Sequence, residues 1–179
     1  MKSFCPPPVR FRPAGEVRWA ALSRQKPGFA TIAQRQKGKR GAGLRYEHQA
    51  KEYLSEKLGD AFVPGPWFRF QSRAVAGAQT QLLWCQPDGL YFDFRLGRIT
   101  IIEIKLRHTS DAWYQVRRLY QPVVQRVFGA LWDYTVVEVA RWFDPATPFP
   151  EHIRMLPNVA EAPLEMFSVH RWGKDEFAG

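Results

Sequence analysis

Asp88, Glu103 and Lys105 are the residues of this 179-residue chain whose types and spacing best suit chemistry. They lie in a stretch, Gln86 to Arg107, that reads as a β-hairpin. Its second arm, Arg98 to Leu106, is rich in β-branched residues and favours a strand. Its first arm, Asp88 to Phe94, carries Leu90, Tyr91, Phe92 and Phe94. Leu96 and Gly97 stand between the arms, where a two-residue turn accommodates positive φ. With Arg95 opposite Arg98, Leu90 falls opposite Glu103, Asp88 opposite Lys105 and Asp93 opposite Thr100. Side chains alternate along a strand, so Glu103 and Lys105 share a face. Asp88 joins that face, diagonal to Glu103 at roughly 7–8 Å, whereas Asp93 takes the other. Two carboxylates and a lysine together are costly to desolvate unless they pair or bind something. Carboxylate oxygens with open positions suit Mg²⁺ or Mn²⁺. A lysine beside such an ion orients or deprotonates a water and offsets charge on a phosphate. The plainer alternative is a solvated hairpin face with one Glu–Lys ion pair.

Pro87-Asp88, then Glu103-Ile104-Lys105 at the end of an apolar strand, resembles the PD-(D/E)xK nuclease superfamily. The likeness spans about residues 43–143. It implies an α/β domain of the restriction endonuclease-like kind, an αβββαβ core around a central mixed sheet. It also implies a divalent-metal site, Mg²⁺ or Mn²⁺, and phosphodiester hydrolysis. By position, Asp88 and Glu103 would hold the metal, the Ile104 carbonyl would complete its shell, and Lys105 would serve the attacking water.

The first helix is expected over residues 43–58, where Leu44, Ala50, Leu54 and Leu58 recur at helical spacing and Gly59 ends the run. Glu47 falls on that apolar face, where a glutamate needs a partner. It either pairs with Lys51 four residues on or supplies a third acid to the sheet. Members of the superfamily often carry such a glutamate there, so the resemblance favours the second role. A second helix is expected from Asp111 to about Phe128, kinked or split by Pro122. Gln115 and Arg118 on it could face the site and touch phosphate. Some exonuclease branches of the superfamily carry a Q-x-x-x-Y motif on this helix. Here Gln115 meets Leu119 at that spacing, with Tyr120 one residue later. Strands are expected over residues 67–73, 81–86, 134–143 and 164–172, with a long irregular connection from Asp144 to Pro163.

Charge divides the chain. Of the 26 Lys and Arg residues, ten lie in residues 1–42 against one acid, Glu16, whereas the remaining sixteen face sixteen acids. The net charge of +9 thus resides wholly in the N-terminal stretch. Residues 1–42, punctuated by proline and glycine, read as a basic, largely extended and flexible arm preceding a nuclease domain at 43–179. Within it, residues 17–22 could dock or form a short helix. Arg35, Lys37, Lys39 and Arg40 are the cations best placed to meet phosphates, with Arg118 on the second helix. No apolar run approaches the roughly 20 residues that span a bilayer. The start lacks the apolar core of a secretory signal, so a cytoplasmic location is expected. Cys5 and Cys85 are the two cysteines, and reduced thiols are the expectation.

The expected function is a metal-dependent DNA nuclease, structure- or end-directed. By analogy with the superfamily it would act in phage or mobile-element recombination, replication or repair. A second copy of the chain, or a replication or recombination protein, is a further partner that the analogy allows. Two rivals stand beside it: a catalytically inactive protein of the same fold that binds nucleic acid or a partner, and an RNA-directed enzyme of the same chemistry.

Overall fold

The computed structural model describes residues 14–28, 38–73, 81–142, 154–156 and 168–171. It is a mixed α/β structure with two sheets. A three-stranded antiparallel sheet is formed by β1 (Glu16–Ser23), β3 (Trp67–Arg73) and β4 (Gln81–Cys85), with β3 in the middle. A six-stranded mixed sheet has the order β2-β5-β6-β7-β9-β8. Its strands are β2 (Phe62–Pro64), β5 (Gly89–Asp93), β6 (Arg98–Arg107), β7 (Asp133–Trp142), β8 (Arg154–Leu156) and β9 (Ser168–Arg171). Helix α1 (Gly38–Leu58) precedes β2.

The faces of the larger sheet follow from alternation along β6 and β7. Ile102, Ile104, Val137 and Val139 pack against Tyr46, Ala50 and Leu54 of α1. Ile99, Ile101, Val136 and Ala140 face the opposite way, into a core shared with the inner face of the small sheet, Phe68 and Phe70. The buried stripe of α1 is Tyr46, Ala50 and Leu54, spaced by four, and Leu44 is exposed. The helix starts five residues earlier than its apolar pattern, because the basic Gly38–Ala42 segment winds on ahead of it.

Three further expectations are corrected. The predicted strands do not share one central sheet, since β3 and β4 turn away to pair with β1. Residues 16–23 do not form a short helix but dock as a strand: Ala14 is core, and Val17 and Ala20 pack against it. A register shift between Val17 and Trp19 breaks the two-residue alternation, which is how a bulge conceals a strand. Finally, residues 154–156 form a short strand within the connection expected to be irregular.

The hairpin register differs from the expected one by two residues. Asp93 pairs with Arg98 and Leu90 with Ile101, so the loop is Phe94–Gly97. Asp93 accepts a hydrogen bond at Oδ1 from the Leu96 N–H at 3.0 Å, and Gly97 takes φ +62°. An aspartate that caps its own turn favours the longer loop. A shift of one residue would have turned every side chain to the other face; a shift of two preserves every face. Asp88, just ahead of β5, comes in line with Glu103 and turns its carboxylate to the sheet edge, toward the Ile104 amide.

Ladder pairing between β5 and β6 ends at Gly89 and Ile102. Gly89 is obligatory there for space: a Cβ would lie 2.3 Å from Cε2 of the buried Phe62 ring. Gly89→Ala should cost about 1–3 kcal/mol through overpacking, read as a lowered denaturant midpoint. An unchanged midpoint would show that the Phe62 ring yields freely.

The crossover from β6 to the parallel β7 comprises α2 (Ser110–Tyr114), a π-helical turn Gln115–Tyr120, and α3 (Gln121–Phe128). Pro122 explains the interruption. It has no N–H to offer the Arg118 carbonyl, and that carbonyl instead accepts from the Ala14 amide at 2.8 Å. The Gln121 N–H reaches back five residues to the Val116 carbonyl, the π pattern.

Candidate active site

The site forms where β5 stops and β6 continues. Pro87 cannot donate to a ladder, and beyond Gly89 the amides of β6 lose their neighbour. The Asp88 side chain takes that place: its Oδ2 accepts a hydrogen bond from the Ile104 N–H at 2.7 Å. A donor that burial would otherwise orphan is thereby satisfied. A residue's N–H and C=O point to the same neighbour in an antiparallel ladder, so the Ile104 carbonyl projects to this edge too.

Glu103 is buried, at 3% exposure, and is held by the Lys105 ammonium through Oε1. Its Oε2 is buried with no hydrogen-bond partner. From α1, Lys51 places its ammonium 2.6 Å from Glu47 Oε1 and 3.1 Å from Asp88 Oδ1. Glu47 pairs with Lys51 and lies beside Asp88, close enough for the two carboxyls to interact.

Crowded carboxylates and burial set the ionisation here. Burial pushes Glu103 up to about 8, Asp88 adds to the rise, and Lys105 opposes it. Glu47 is raised by burial and then by Asp88, against Lys51. Burial pulls down the Lys51 and Lys105 ammoniums, but the carboxylates outweigh it and leave both raised. A carboxyl raised on folding keeps its proton in the folded state after the unfolded chain has lost it. Stability contributed by Glu103 is therefore greatest below pH about 4.5 and falls as pH rises to about 8. Metal-free protein should show a declining unfolding midpoint across that window, and Glu103→Gln should flatten the decline. A midpoint that instead climbs from pH 5 to 8 in the parent protein would contradict this.

Tyr120 borders the same carboxylates. Its phenol is held well above the usual range by burial, then by Glu103 and Asp88. It stays neutral and able to donate. A π turn places residues five apart on one side, so Gln115 and Tyr120 share a side of the crossover despite the extra residue between them. Gln115 Oε1 is buried with no hydrogen-bond partner. Arg118 goes elsewhere: it is exposed and its guanidinium lies over the Trp113 ring, 5.6 Å from the centroid. Lys39 and Arg40 lie in the first turn of α1, and Arg35 and Lys37 lie outside the described residues. Cys85, just ahead of the site, is a buried free thiol that burial pushes up to about 12; Cys5 lies outside the described residues.

Behind Glu103 stands a second buried pair. The parallel register sets Glu138 of β7 beside Glu103. Glu138 Oε2 lies 2.5 Å from His108 Nδ1, with both side chains fully buried. Burial raises Glu138, and His108 and Lys105 counter that rise.

No protein-family model, curated protein or solved structure matches the chain.

Among the described residues, no three His, Cys, Asp or Glu side chains converge as a ready ligand set. Lysines stand against the carboxylates instead, Lys51 between Glu47 and Asp88 and Lys105 on Glu103. Sequence reasoning did not place Lys51, Tyr120, His108 or Glu138 at the site. For Glu138 the signal was legible: a lone acid within the apolar stretch Tyr134–Ala140, a residue rarely buried without a partner. Among the described residues, no helix is long and apolar enough to cross a membrane.

Proposed function

We propose that the chain is a metal-dependent nuclease of the PD-(D/E)xK type, with a restriction endonuclease-like core, acting on DNA. The observation that carries this reading is that Asp88, at the end of the β5–β6 ladder, adjoins Glu47 across Lys51 on one side and Glu103 with its Lys105 on the other. Residue type and spacing single out Asp88, Glu103 and Lys105, and the resemblance adds Glu47; they come from three separate segments of the chain. The orphaned Glu103 Oε2 and the Asp88 and Glu47 carboxyls are oxygen donors of the kind a hard divalent cation takes, and Lys51 and Lys105 would have to yield to it. Asp88, Glu103, the Ile104 carbonyl and, directly or through water, Glu47 would hold Mg²⁺ or Mn²⁺. Such an ion supplies an acidified water and charge neutralisation at the phosphate.

The chain's own groups have separable roles. Glu103, raised by burial, must give up its proton before it can ligate, so metal affinity should rise with pH. Lys105 is fixed on Glu103 and presents an ammonium that orients the attacking water and offsets charge at the phosphate. Neutral Tyr120 and the Gln115 amide offer hydrogen bonds to substrate oxygens. Asp88 keeps the ladder's end closed around the site through the Ile104 amide.

The test is direct. Protein with Mg²⁺ or Mn²⁺ is offered linear duplex, single-stranded, circular and branched DNA, and RNA. The expected result is DNA cleavage that a chelator stops. Cleavage of RNA alone would redirect the substrate. Cleavage of nothing, by protein that still binds DNA, would leave a binding protein on the same fold.

A further inference from the structure

The outer face of the small sheet carries a feature that phosphodiester hydrolysis does not require. Across its three strands the register sets Ala21, Arg69 and Trp84 side by side, and Trp19, Gln71 and Leu82 in the next row. Phe68, Phe70 and Ser72, which alternate with these on β3, are buried. The Arg69 guanidinium lies 6.0 Å from the Trp19 ring centroid and 5.7 Å from that of Trp84. Trp67 meets Trp84 edge-on at 6.3 Å. Trp19 is 41% exposed and Leu82 52%. The exposed Trp19 and the half-buried Trp84, flanking an arginine, make an apolar, π-rich surface, and apolar patches on a protein surface commonly mark binding sites.

We propose that this face is a stacking platform for unpaired bases, so that the chain binds single-stranded nucleic acid there. Indole rings and a guanidinium plane stack on bases of any sequence, because every base has a π-face. Charge favours the same occupant: β1 lies within residues 1–42, the stretch that holds the chain's whole positive surplus, which attracts a polyphosphate. The position favours it as well. Trp84 precedes Asp88 by four residues, which span at most about 14 Å. A strand lying on the platform therefore has one end close to the candidate active site. Duplex DNA offers its bases edge-on within grooves and cannot stack on a sheet.

The test needs no cleavage. Protein carrying Glu103→Gln, in chelator, is titrated with labelled oligothymidylate, oligouridylate and a duplex of the same length, following anisotropy. Trp19→Ala and Trp84→Ala should each weaken single-strand binding about tenfold and leave duplex binding nearly unchanged. Trp84→Phe, which keeps a ring and the strand, should retain most of the affinity, and it guards against loss through misfolding. Thymidylate and uridylate arms identify the sugar preferred, and binding of either supports the platform. Unchanged single-strand binding in both alanine variants overturns the proposal, as does a parallel loss of duplex binding. A concentration-dependent dimer that Trp19→Ala dissolves would also overturn it, by showing that a second copy covers this face. Since the metal and Glu103 take no part, failure here and failure of the nuclease reading are distinguishable.

Discussion

Glu103→Gln and Asp88→Asn should each reduce cleavage to background, while Asp93→Asn remains close to the parent protein. The contrast comes from the hairpin's geometry. Glu103 is buried with one carboxylate oxygen unpartnered, and Asp88 stands beside it where the ladder ends. Asp93 instead caps the turn by accepting the Leu96 N–H, and an asparagine oxygen accepts that bond equally well. Asn at position 88 likewise retains an acceptor for Ile104, so lost activity there would not be lost folding. The lysine and the helix glutamate should fail differently. On the proposed reading, Lys105→Ala removes the group that would act on the water and the phosphate, and the rate should fall about 10²–10³ with Mn²⁺ still bound. Glu47→Ala removes a carboxylate, so metal binding should weaken and excess Mn²⁺ should restore part of the rate. Cleavage and metal binding would be followed for each variant against Mg²⁺ and Mn²⁺ concentration. Equal losses at Asp88, Asp93 and Glu103 in folded variants would refute the face assignment. Rescue of Lys105→Ala by metal, with none for Glu47→Ala, would reverse the two roles.

His108→Ala should be the most destabilising single change at the back of the site. The imidazole and the Glu138 carboxyl are both fully buried and 2.5 Å apart, in a strand whose neighbours Val137 and Val139 are core. Removing one partner of a buried pair strands the other, at a cost of about 3–5 kcal/mol. For a chain of this size that corresponds to a fall in Tm of roughly 10 °C. Glu138→Gln, which keeps a hydrogen-bonding side chain, should cost less. Thermal unfolding at neutral pH in chelator measures both. A shift of only a degree or two for His108→Ala would mean that water readily replaces the imidazole.

Much of the site is visible in the primary structure because its parts are local. Asp88 and Glu103 lie on adjoining arms of one hairpin, and Glu103 and Lys105 two apart on one strand. Alternation alone puts Glu103 and Lys105 on a common face. That conclusion survives the error in loop length, because an even shift in register leaves faces unchanged. Pro122 likewise marks where the second helix would break. Other features depend on segments distant in sequence. The partners of β3 and β4 are decided by β1, whose alternation a bulge interrupts. Lys51 bridges Glu47 to Asp88 only because α1 packs across the sheet beside the point where β5 ends. The Gln115–Tyr120 alignment requires a π turn, and that turn is completed by Ala14 taking the carbonyl that Pro122 leaves free. Glu138 reaches Glu103 and His108 through the parallel crossover that joins β6, ending at Arg107, to β7, starting at Asp133. Local periodicity assigns each residue a face of its own element; which faces meet is settled by packing among elements far apart along the chain.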